Sequence, residues 1–157
     1  MSNRLTHIDQ DGNPKMVDIS HKANSYRLAI AEGWVLLADT TLLSITQSTI
    51  QKGDVLQIAQ LAGIQGAKRT SDLIPLCHPL PIDAVQVWVS IEMGKGVYIK
   101  SSVRSHWRTG VEMEALTAVT AAALTVYDMV KAVDRSAVLS GICLLEKHGG
   151  KSGVWVK

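Results

Sequence analysis

The stretch AVQVWVSIEMGKGVYIKSSVR (residues 84–104) decides the fold of this chain. Apolar side chains occupy every second position on both sides of a Gly-Lys-Gly connection at residues 94–96. Alternation with a period of two predicts strands, and a short glycine-containing connection predicts that the two strands form a β-hairpin. The middle of the chain is therefore expected to be an antiparallel strand pair.

Two helices are predicted on either side of this hairpin. Residues 52–70 (KGDVLQIAQLAGIQGAKRT) begin with Asp54, a good N-cap residue, and continue with apolar side chains at helical spacing. Their small side chains indicate that another backbone packs close to this helix: Ala59, Ala62, Gly63, Gly66 and Ala67. Residues 109–133 (TGVEMEALTAVTAAALTVYDMVKAV) predict a longer, alanine-rich helix.

The flanking segments complete the predicted fold. Residues 25–37 predict a strand followed by a short helix at 39–47, residues 137–147 predict another strand, and the tail at 148–157 is compatible with one more. The resulting order is typical of the α+β class and of the ferredoxin-like split β-α-β arrangement. We expect one domain over residues 1–157, with an irregular N-terminal arm at 1–25 that contains a short strand around Met16 to Ile19. This fold alone does not indicate a chemistry.

Composition excludes several classes of protein. The 157 residues carry 16 basic and 14 acidic side chains, so no strong overall field points to nucleic acid, and the seven aromatic residues form no base-stacking cluster. Two cysteines support neither a disulfide framework nor a four-thiolate zinc site, which fits a reducing cytoplasm. The polar first 25 residues resemble no signal peptide, and the four charges within the apolar stretch at 111–133 would be costly in lipid. We therefore expect a soluble protein without a membrane partner.

The stretch IPLCHPLP (residues 74–81) places Cys77 beside His78 between three prolines. Adjacent residues rarely both bind one zinc ion, and the remaining histidines are scattered, so no metal site is predicted. Two interpretations stay open. Cys77 is a buried cysteine in a stiff turn, or the prolines hold His78 as a fixed hydrogen-bond donor or acid-base group.

The long helix carries charged side chains at both of its ends. Glu112 and Glu114 lie near its start, and Asp128 and Lys131, three residues apart, are neighbours on one face near its end. The fourteen residues from Glu114 to Asp128 span about 21 Å at a rise of about 1.5 Å per residue. Either the two ends are unrelated, or a second subunit brings the opposite helix end into the same pocket. The Asp128–Lys131 pair is by default a surface ion pair of little energetic value.

The motifs taken together resemble one family from end to end and in the same order. They are LTHID, MVDIS, KGDV, AGIQGAKRTSDLIPLCHPL, TGVEMEALTA, YDMVKAV and GGKSG. The chain resembles the molybdenum cofactor biosynthesis protein C family, the cyclic pyranopterin monophosphate synthases.

This resemblance implies a ferredoxin-like fold assembled as a hexamer, a trimer of dimers, with active sites at subunit interfaces. It implies a cytoplasmic lyase that converts 3′,8-cyclo-7,8-dihydro-GTP into cyclic pyranopterin monophosphate and releases pyrophosphate. No cofactor is required for such a rearrangement, although a divalent cation such as magnesium accompanying the triphosphate stays open. The rival hypothesis is a non-catalytic, oligomeric nucleotide- or pterin-binding module.

The resemblance also implies roles for individual residues. It makes Asp128 catalytic, with Lys131 as its partner in proton transfer. It assigns further residues to the substrate site, either as lining or as candidates for phosphate contact: Leu76, Cys77, His78, Glu112, Met113, Glu114, Lys52, Arg27, Lys147 and Lys151. Four positions depart from the family's usual pattern, namely Gln60, Lys100, Trp107 and Arg108. Arg108 keeps a positive charge where Lys is usual, and a guanidinium is a poorer proton donor.

Overall fold

The computed structural model describes residues 8–9, 11–150 and 153–157 of the chain. The strands and helices follow one another as β1 (Ser25–Leu36), α1 (Asp39–Thr46), α2 (Val55–Lys68), α3 (Thr70–Leu73), β2 (Ala84–Glu92), β3 (Gly96–Trp107), α4 (Glu112–Val130), β4 (Val138–His148) and β5 (Trp155–Val156). The strands form one antiparallel sheet in the order β2-β3-β1-β4-β5. The predicted α+β, ferredoxin-like fold is confirmed, including the central hairpin.

The core lies between one face of the sheet and the helices α2 and α4. Alternate residues of β1 and β3, such as Ala31 and Ile99, are fully buried beneath these helices. Each fully buried valine, leucine or isoleucine contributes about 1.5 to 3 kcal/mol of transfer free energy. The hydroxyl of Ser101 on β3 donates a 2.8 Å hydrogen bond to the carbonyl oxygen of Ala115 on α4. This bond ties the first turns of α4 to the sheet.

The small residues of α2 allow it to pack closely against α4, as the sequence predicted. A Cβ atom added at Gly66 would lie 2.6 Å from the Cβ of Ala121, and one at Gly63 would lie 3.0 Å from the carbonyl oxygen of Ala118. Both distances are shorter than ordinary contacts, and the shorter one makes glycine a requirement at Gly66, while the space at Gly63 is tight. At the start of α2, the Asp54 carboxylate accepts a 3.0 Å bond from the backbone N–H of Gln57, which confirms the predicted N-cap.

The N-terminal arm differs from the prediction in one respect. The expected strand around Met16 to Ile19 is wrong, because the described part of the arm is irregular apart from one isolated bridge between Ile8 and Pro14. The carbonyl of Val17 accepts a hydrogen bond from the His78 ring instead of from a neighbouring strand. The arm is thus held against the loop that follows α3, a short helix that the sequence did not predict.

Helix α4 runs through the centre of the molecule. By length and composition it is long and apolar enough to cross a membrane, yet 56% of its apolar window is buried inside the fold. Beyond its C-terminal end, the buried carboxylate of Asp134 accepts bonds from the Ala38 N–H at 2.9 Å and the Thr41 hydroxyl at 3.1 Å. These bonds fix the turn after α4 against the first turn of α1.

Candidate active site

A cavity of about 320 Å³ opens at the N-terminal end of α4. The arm, the loop at residues 74–81 and the first turn of α4 form its walls. It is lined by Val17, Ile19, Lys22, Leu76, Cys77, His78, Leu80, Thr109, Gly110, Glu112, Met113 and Glu114. Six of the residues that the resemblance assigned to the substrate are therefore brought together here, from Leu76 to His78 and from Glu112 to Glu114.

The His78 ring is oriented by the arm. Its Nε2 atom lies 2.8 Å from the carbonyl oxygen of Val17. Because a carbonyl oxygen only accepts hydrogen bonds, Nε2 must carry the hydrogen. In the neutral ring the lone pair is then on Nδ1. Pro75 and Pro79, with their fixed φ angles, stiffen the loop on both sides of this residue.

Glu114 is the most unusual carboxyl group of this cavity. Its residue is only 4% exposed, although it lies in the first turn of α4. Burial raises the pKa of Glu114 to about 7, and the nearby charge of Glu112 adds to the increase. A carboxyl group with a pKa near neutrality exchanges protons readily at physiological pH, as a general acid or base requires.

Cys77 lies in the same cavity as a partly buried, free thiol. Burial raises the pKa of this thiol, and the charge of Glu114 raises it further. Because the thiolate is the nucleophilic form, Cys77 is not an activated nucleophile. It is a lining residue of the cavity.

A second cavity of about 690 Å³ adjoins the first and shares Lys22, Thr109, Gly110 and Glu112 with it. Arg27 and Lys147, two of the predicted phosphate ligands, lie in its wall. The ammonium group of Lys147 is 3.1 Å from a carboxylate oxygen of Glu112. Glu112 therefore stands between the two cavities.

A separate charged cluster lies at the C-terminal end of α4. The ammonium group of Lys52, in the loop before α2, is 2.7 Å from Asp128 Oδ2 and also 2.7 Å from the Asp128 backbone oxygen. Lys131 Nζ is 2.7 Å from Asp128 Oδ1, so the predicted neighbours do pair. Hydrogen bonds from Lys131 and Lys52 lower the pKa of Asp128 to about 2, and Asp128 raises the pKa of Lys131. All three side chains are about half-exposed.

The two ends of α4 do not meet within one chain. Glu114 and Asp128 are both within α4, a continuous helix, and the rise of an α-helix places them about 21 Å apart. The structure thus groups the predicted site residues into one set at each helix end, while Lys151 lies outside the described residues. Among the described residues, no three His, Cys, Asp or Glu side chains cluster as metal ligands.

Sequence comparison agrees with this geometry. Residues 16–150 match the sequence model of the MoaC family. The chain belongs to the MoaC family.

Several relatives named cyclic pyranopterin monophosphate synthase align over nearly the whole of both chains. The protein of Corynebacterium glutamicum (strain R) is 51% identical over 152 residues, 97% of each chain. That of Cereibacter sphaeroides (strain ATCC 17029 / ATH 2.4.9) is 53% identical over 150 residues, 95% of this chain and 94% of the relative. That of Heliobacterium modesticaldum (strain ATCC 51547 / Ice1) is 52% identical over 154 residues, 98% of this chain and 97% of the relative.

Some lining residues were not singled out from the sequence of this MoaC family member. Val17 and Lys22 lie in the arm, which carries no periodic pattern, and only the MVDIS motif pointed there. Among the four departures from the family pattern, Arg108 lines the second cavity. Gln60 has a structural contact instead, because its side-chain N–H donates a 2.8 Å bond to the carbonyl oxygen of Val87.

Proposed function

We propose that the protein is a cyclic pyranopterin monophosphate synthase of molybdenum cofactor biosynthesis. It rearranges 3′,8-cyclo-7,8-dihydro-GTP into cyclic pyranopterin monophosphate and releases pyrophosphate. The observation that carries this proposal is the buried carboxyl of Glu114, with a pKa of about 7, in one cavity with the fixed imidazole of His78. The names of the relatives support it.

The proposed reaction opens and recloses a ring of the base, and each of these steps moves protons. Glu114 is poised to give or take a proton near neutral pH because burial has raised its pKa. His78 offers Nδ1 as an acceptor because Nε2 is committed to Val17. Leu76, Cys77 and Met113 provide the less polar walls of the same cavity. A non-catalytic binding module would leave this acid-base pair without a task.

Asp128 and Lys131 are proposed to act from the other end of α4. With a pKa of about 2, Asp128 stays ionised in the single chain, raises the pKa of Lys131, and lies 2.7 Å from the side-chain nitrogens of both Lys131 and Lys52. Two cations against one carboxylate leave a net positive charge that attracts phosphate. Lys131 is then the proton donor of the pair. Removing water around Asp128 would raise its affinity for a proton and complete the transfer unit.

A second subunit is proposed to complete each site. The two residue sets are about 21 Å apart on one helix, and the Asp128 cluster is half-exposed in the single chain. In a two-fold symmetric dimer each contact between the subunits occurs twice, so an interface that joins the Glu114 end of one subunit to the Asp128 end of the other makes two equivalent sites. We propose that such dimers assemble further into a hexamer, a trimer of dimers.

The proposed setting is the cytoplasm. Both cysteines, Cys77 and Cys143, are free thiols, which fits a reducing compartment. The rearrangement has no net redox change, so we propose that it needs no redox cofactor. A divalent cation such as magnesium would enter only with the triphosphate.

A single-turnover assay tests this function. The purified protein is mixed with 3′,8-cyclo-7,8-dihydro-GTP, and pyrophosphate and pterin are measured over time. We expect both products to form in equal amounts, and to form much more slowly with Asp128→Ala. A wild-type protein that releases no pyrophosphate above background would contradict the proposal.

A further inference from the structure

Asp134 is a buried carboxylate just beyond the C-terminal end of α4. It is 5% exposed, and no ion pair among the described residues includes it. Its Oδ1 atom accepts hydrogen bonds from the Ser136 hydroxyl at 2.7 Å and from the Ser136 N–H at 3.0 Å. Hydrogen bonds, above all that from the Ser136 hydroxyl, hold the pKa of Asp134 below its usual range, so the group stays ionised. A buried charge without a counter-ion is costly, and its surroundings must compensate for it.

The N-terminus of α1 supplies part of this compensation. The N-cap residue of α1 is Ala38, and no side-chain hydrogen bond from this residue caps the helix. The Oδ2 atom of Asp134 accepts hydrogen bonds from the Ala38 N–H and from the Thr41 hydroxyl, 96 and 93 residues away along the chain. The helix dipole favours a carboxylate at this position. Asp134 therefore caps α1 from a distant part of the chain and joins it to the C-terminal end of α4.

The two segments joined at Asp134 carry the two lysines of the Asp128 cluster. Lys131 is the C-cap residue of α4, and Lys52 lies in the segment after α1. Each ammonium group is 2.7 Å from a different carboxylate oxygen of Asp128, and Lys52 also donates a 2.7 Å bond to the Asp128 backbone oxygen. Both contacts form only if the segment after α1 and the end of α4 are held at one separation.

The turn between α1 and Lys52 is itself held in place by hydrogen bonds. The Thr49 N–H donates a 3.0 Å bond to the carbonyl oxygen of Ser44 in α1, and the Gly53 N–H donates a 3.1 Å bond to the carbonyl oxygen of Ile50. Ile50 is 8% exposed and belongs to the hydrophobic core. The position of α1 is therefore transmitted to Lys52.

We infer that Asp134 is a positioning residue for the Asp128 cluster, because it fixes the separation between the segment that carries Lys52 and the helix end that carries Lys131. Its four hydrogen bonds go to other groups, so among the described contacts it acts on the two lysines through the backbone. The importance of this cluster for turnover rests on the proposed function, whereas the positioning does not.

Competitive acetylation of lysines measures this positioning without turnover. The full-length protein reacts with a trace of acetic anhydride at one pH, and peptide mass spectrometry gives the rate at each lysine. Asp128 raises the pKa of Lys131 and so reduces its free amine. We expect Asp134→Ala to raise the rate at Lys131 by about three- to tenfold, as for a fall of about half to one unit in its pKa. Lys52 should also react faster, while the exposed Lys68 is the unchanged reference in the same sample.

Two variants that each lose one hydroxyl group separate the junction from general stability. Thr41→Val removes a hydrogen bond between α1 and Asp134, and Ser136→Ala removes one to the same carboxylate within the turn after α4. We expect Thr41→Val to raise the rates at Lys52 and Lys131 by a smaller factor than Asp134→Ala, and Ser136→Ala to leave them unchanged.

Circular dichroism and size-exclusion chromatography establish which variants are folded and assembled as the wild type. If Asp134→Ala does not fold, the comparison of Thr41→Val with Ser136→Ala is the test. Unchanged rates at Lys52 and Lys131 in every folded variant that loses a bond between Asp134 and α1 would overturn the inference. Equal increases in Thr41→Val and Ser136→Ala would also overturn it.

Turnover of 3′,8-cyclo-7,8-dihydro-GTP is a separate measurement. We expect Asp134→Ala to lower kcat by about 10- to 100-fold, the cost of a misplaced catalytic group, with KM changed by less than about threefold. The alkaline limb of the kcat profile should move to lower pH, because Lys131 loses its proton more easily once its contact with Asp128 is weakened. A loss of stability alone would not move this limb, so an unmoved limb would contradict the inference. If acetylation changes as expected but the wild type does not turn over, the proposed function is wrong and Asp134 is still a positioning residue.

Discussion

The two ends of helix α4 carry carboxyl groups in opposite environments. Near its start, Glu114 is 4% exposed, and burial raises its pKa to about 7. Near its end, Asp128 is about half-exposed, and hydrogen bonds from Lys131 and Lys52 lower its pKa to about 2. Two acids on one helix therefore differ in pKa by far more than the ordinary difference between Glu and Asp. Such a separation is how a protein assigns different proton-transfer roles to similar groups.

The difference in burial also suggests how both ends of α4 can contribute to one site although they are about 21 Å apart. The Glu114 end is complete as a cavity in the single chain, with walls from the arm and the loop at residues 74–81. At the Asp128 end, none of the three charged residues Lys52, Asp128 and Lys131 lines any of the described cavities. An enclosed end and an open end are complementary, and a second subunit would supply each with the part that it lacks.

Removing the carboxylate at the open end should have the largest effect. Asp128→Ala leaves Lys52 and Lys131 without their shared partner, and we expect kcat for pyrophosphate release to fall by roughly 10³-fold, within the usual range for a proton-transfer group. Asp72→Ala is the matched control, because Asp72 is also an exposed carboxylate in an i,i+3 ion pair, with Arg69. Near-normal turnover by Asp128→Ala would show that the open end is not catalytic.

Neutralising the carboxyl group of Glu114, at the enclosed end, should abolish activity and make the folded protein more stable above neutral pH. The pKa of Glu114 is about 7 in the folded protein and lies above its ordinary value of 4.5, so the folded state binds the proton more tightly than the unfolded state. The free energy of unfolding should therefore fall as pH rises from about 4.5 through 7, by about 3 kcal/mol in all. Glu114→Gln removes this loss.

Urea unfolding at pH 5 and pH 8 measures this effect. We expect Glu114→Gln to be more stable than wild type by about 3 kcal/mol at pH 8, with little difference at pH 5, and to be inactive. Glu92→Gln, at an exposed carboxylate of the hairpin, should show no such pH-dependent gain. Equal stability of Glu114→Gln and wild type at both pH values would show that Glu114 is not buried in the way described.

The placement of α4, which carries both carboxyl groups, also depends on the close packing of α2 against it. Gly66→Val places side-chain atoms where the Cβ of Ala121 already lies, so we expect a loss of about 1 to 3 kcal/mol in unfolding free energy. Gln65→Val, on the exposed face of the same helix, is the control and should change stability by less than about 0.5 kcal/mol. Thermal unfolding of both variants measures the two changes in stability. Equal stability would mean that the helices are not in close contact at Gly66.

The smallest effect is expected at Cys77. Burial raises the pKa of its thiol and keeps it protonated, so Cys77→Ser should change kcat by less than about threefold. Steady-state assays at pH 7 and 9 check this. A loss of activity comparable to that of Asp128→Ala would mean that the sulfur takes part in the reaction.

Local patterns were sufficient to predict most of the fold, and less of the site. The alternation in residues 84–104 was sufficient to predict the hairpin. The glycines of α2 were sufficient to predict that another backbone packs close to this helix. The strand predicted around Met16 to Ile19 was wrong, because the local sequence does not indicate that the Val17 carbonyl accepts a hydrogen bond from His78, 61 residues away. Likewise, Lys52 and Asp128 meet across 76 residues.

The burial of Glu114 is a further property that could not be predicted from the sequence. A glutamate in the first turn of a helix is ordinarily exposed and favourably placed for the helix dipole. Here the arm and the loop at residues 74–81 enclose it, and the pKa follows from that enclosure. The sequence placed Glu114 near the start of the long helix and the family resemblance assigned it to the substrate site, but neither indicated that its carboxyl group is buried.

Complementation between two inactive variants tests the shared site most directly. Asp128→Ala and Glu114→Gln subunits carry different tags, are co-expressed, and the mixed oligomers are isolated by sequential affinity steps. If each site takes Glu114 from one subunit and Asp128 from its partner, a mixed dimer has one intact site of two. Isolated mixed dimers should then regain roughly half of wild-type turnover, and mixed hexamers whose subunits assort at random should regain roughly a quarter. Mixed oligomers that stay as inactive as either parent would contradict the two-subunit site.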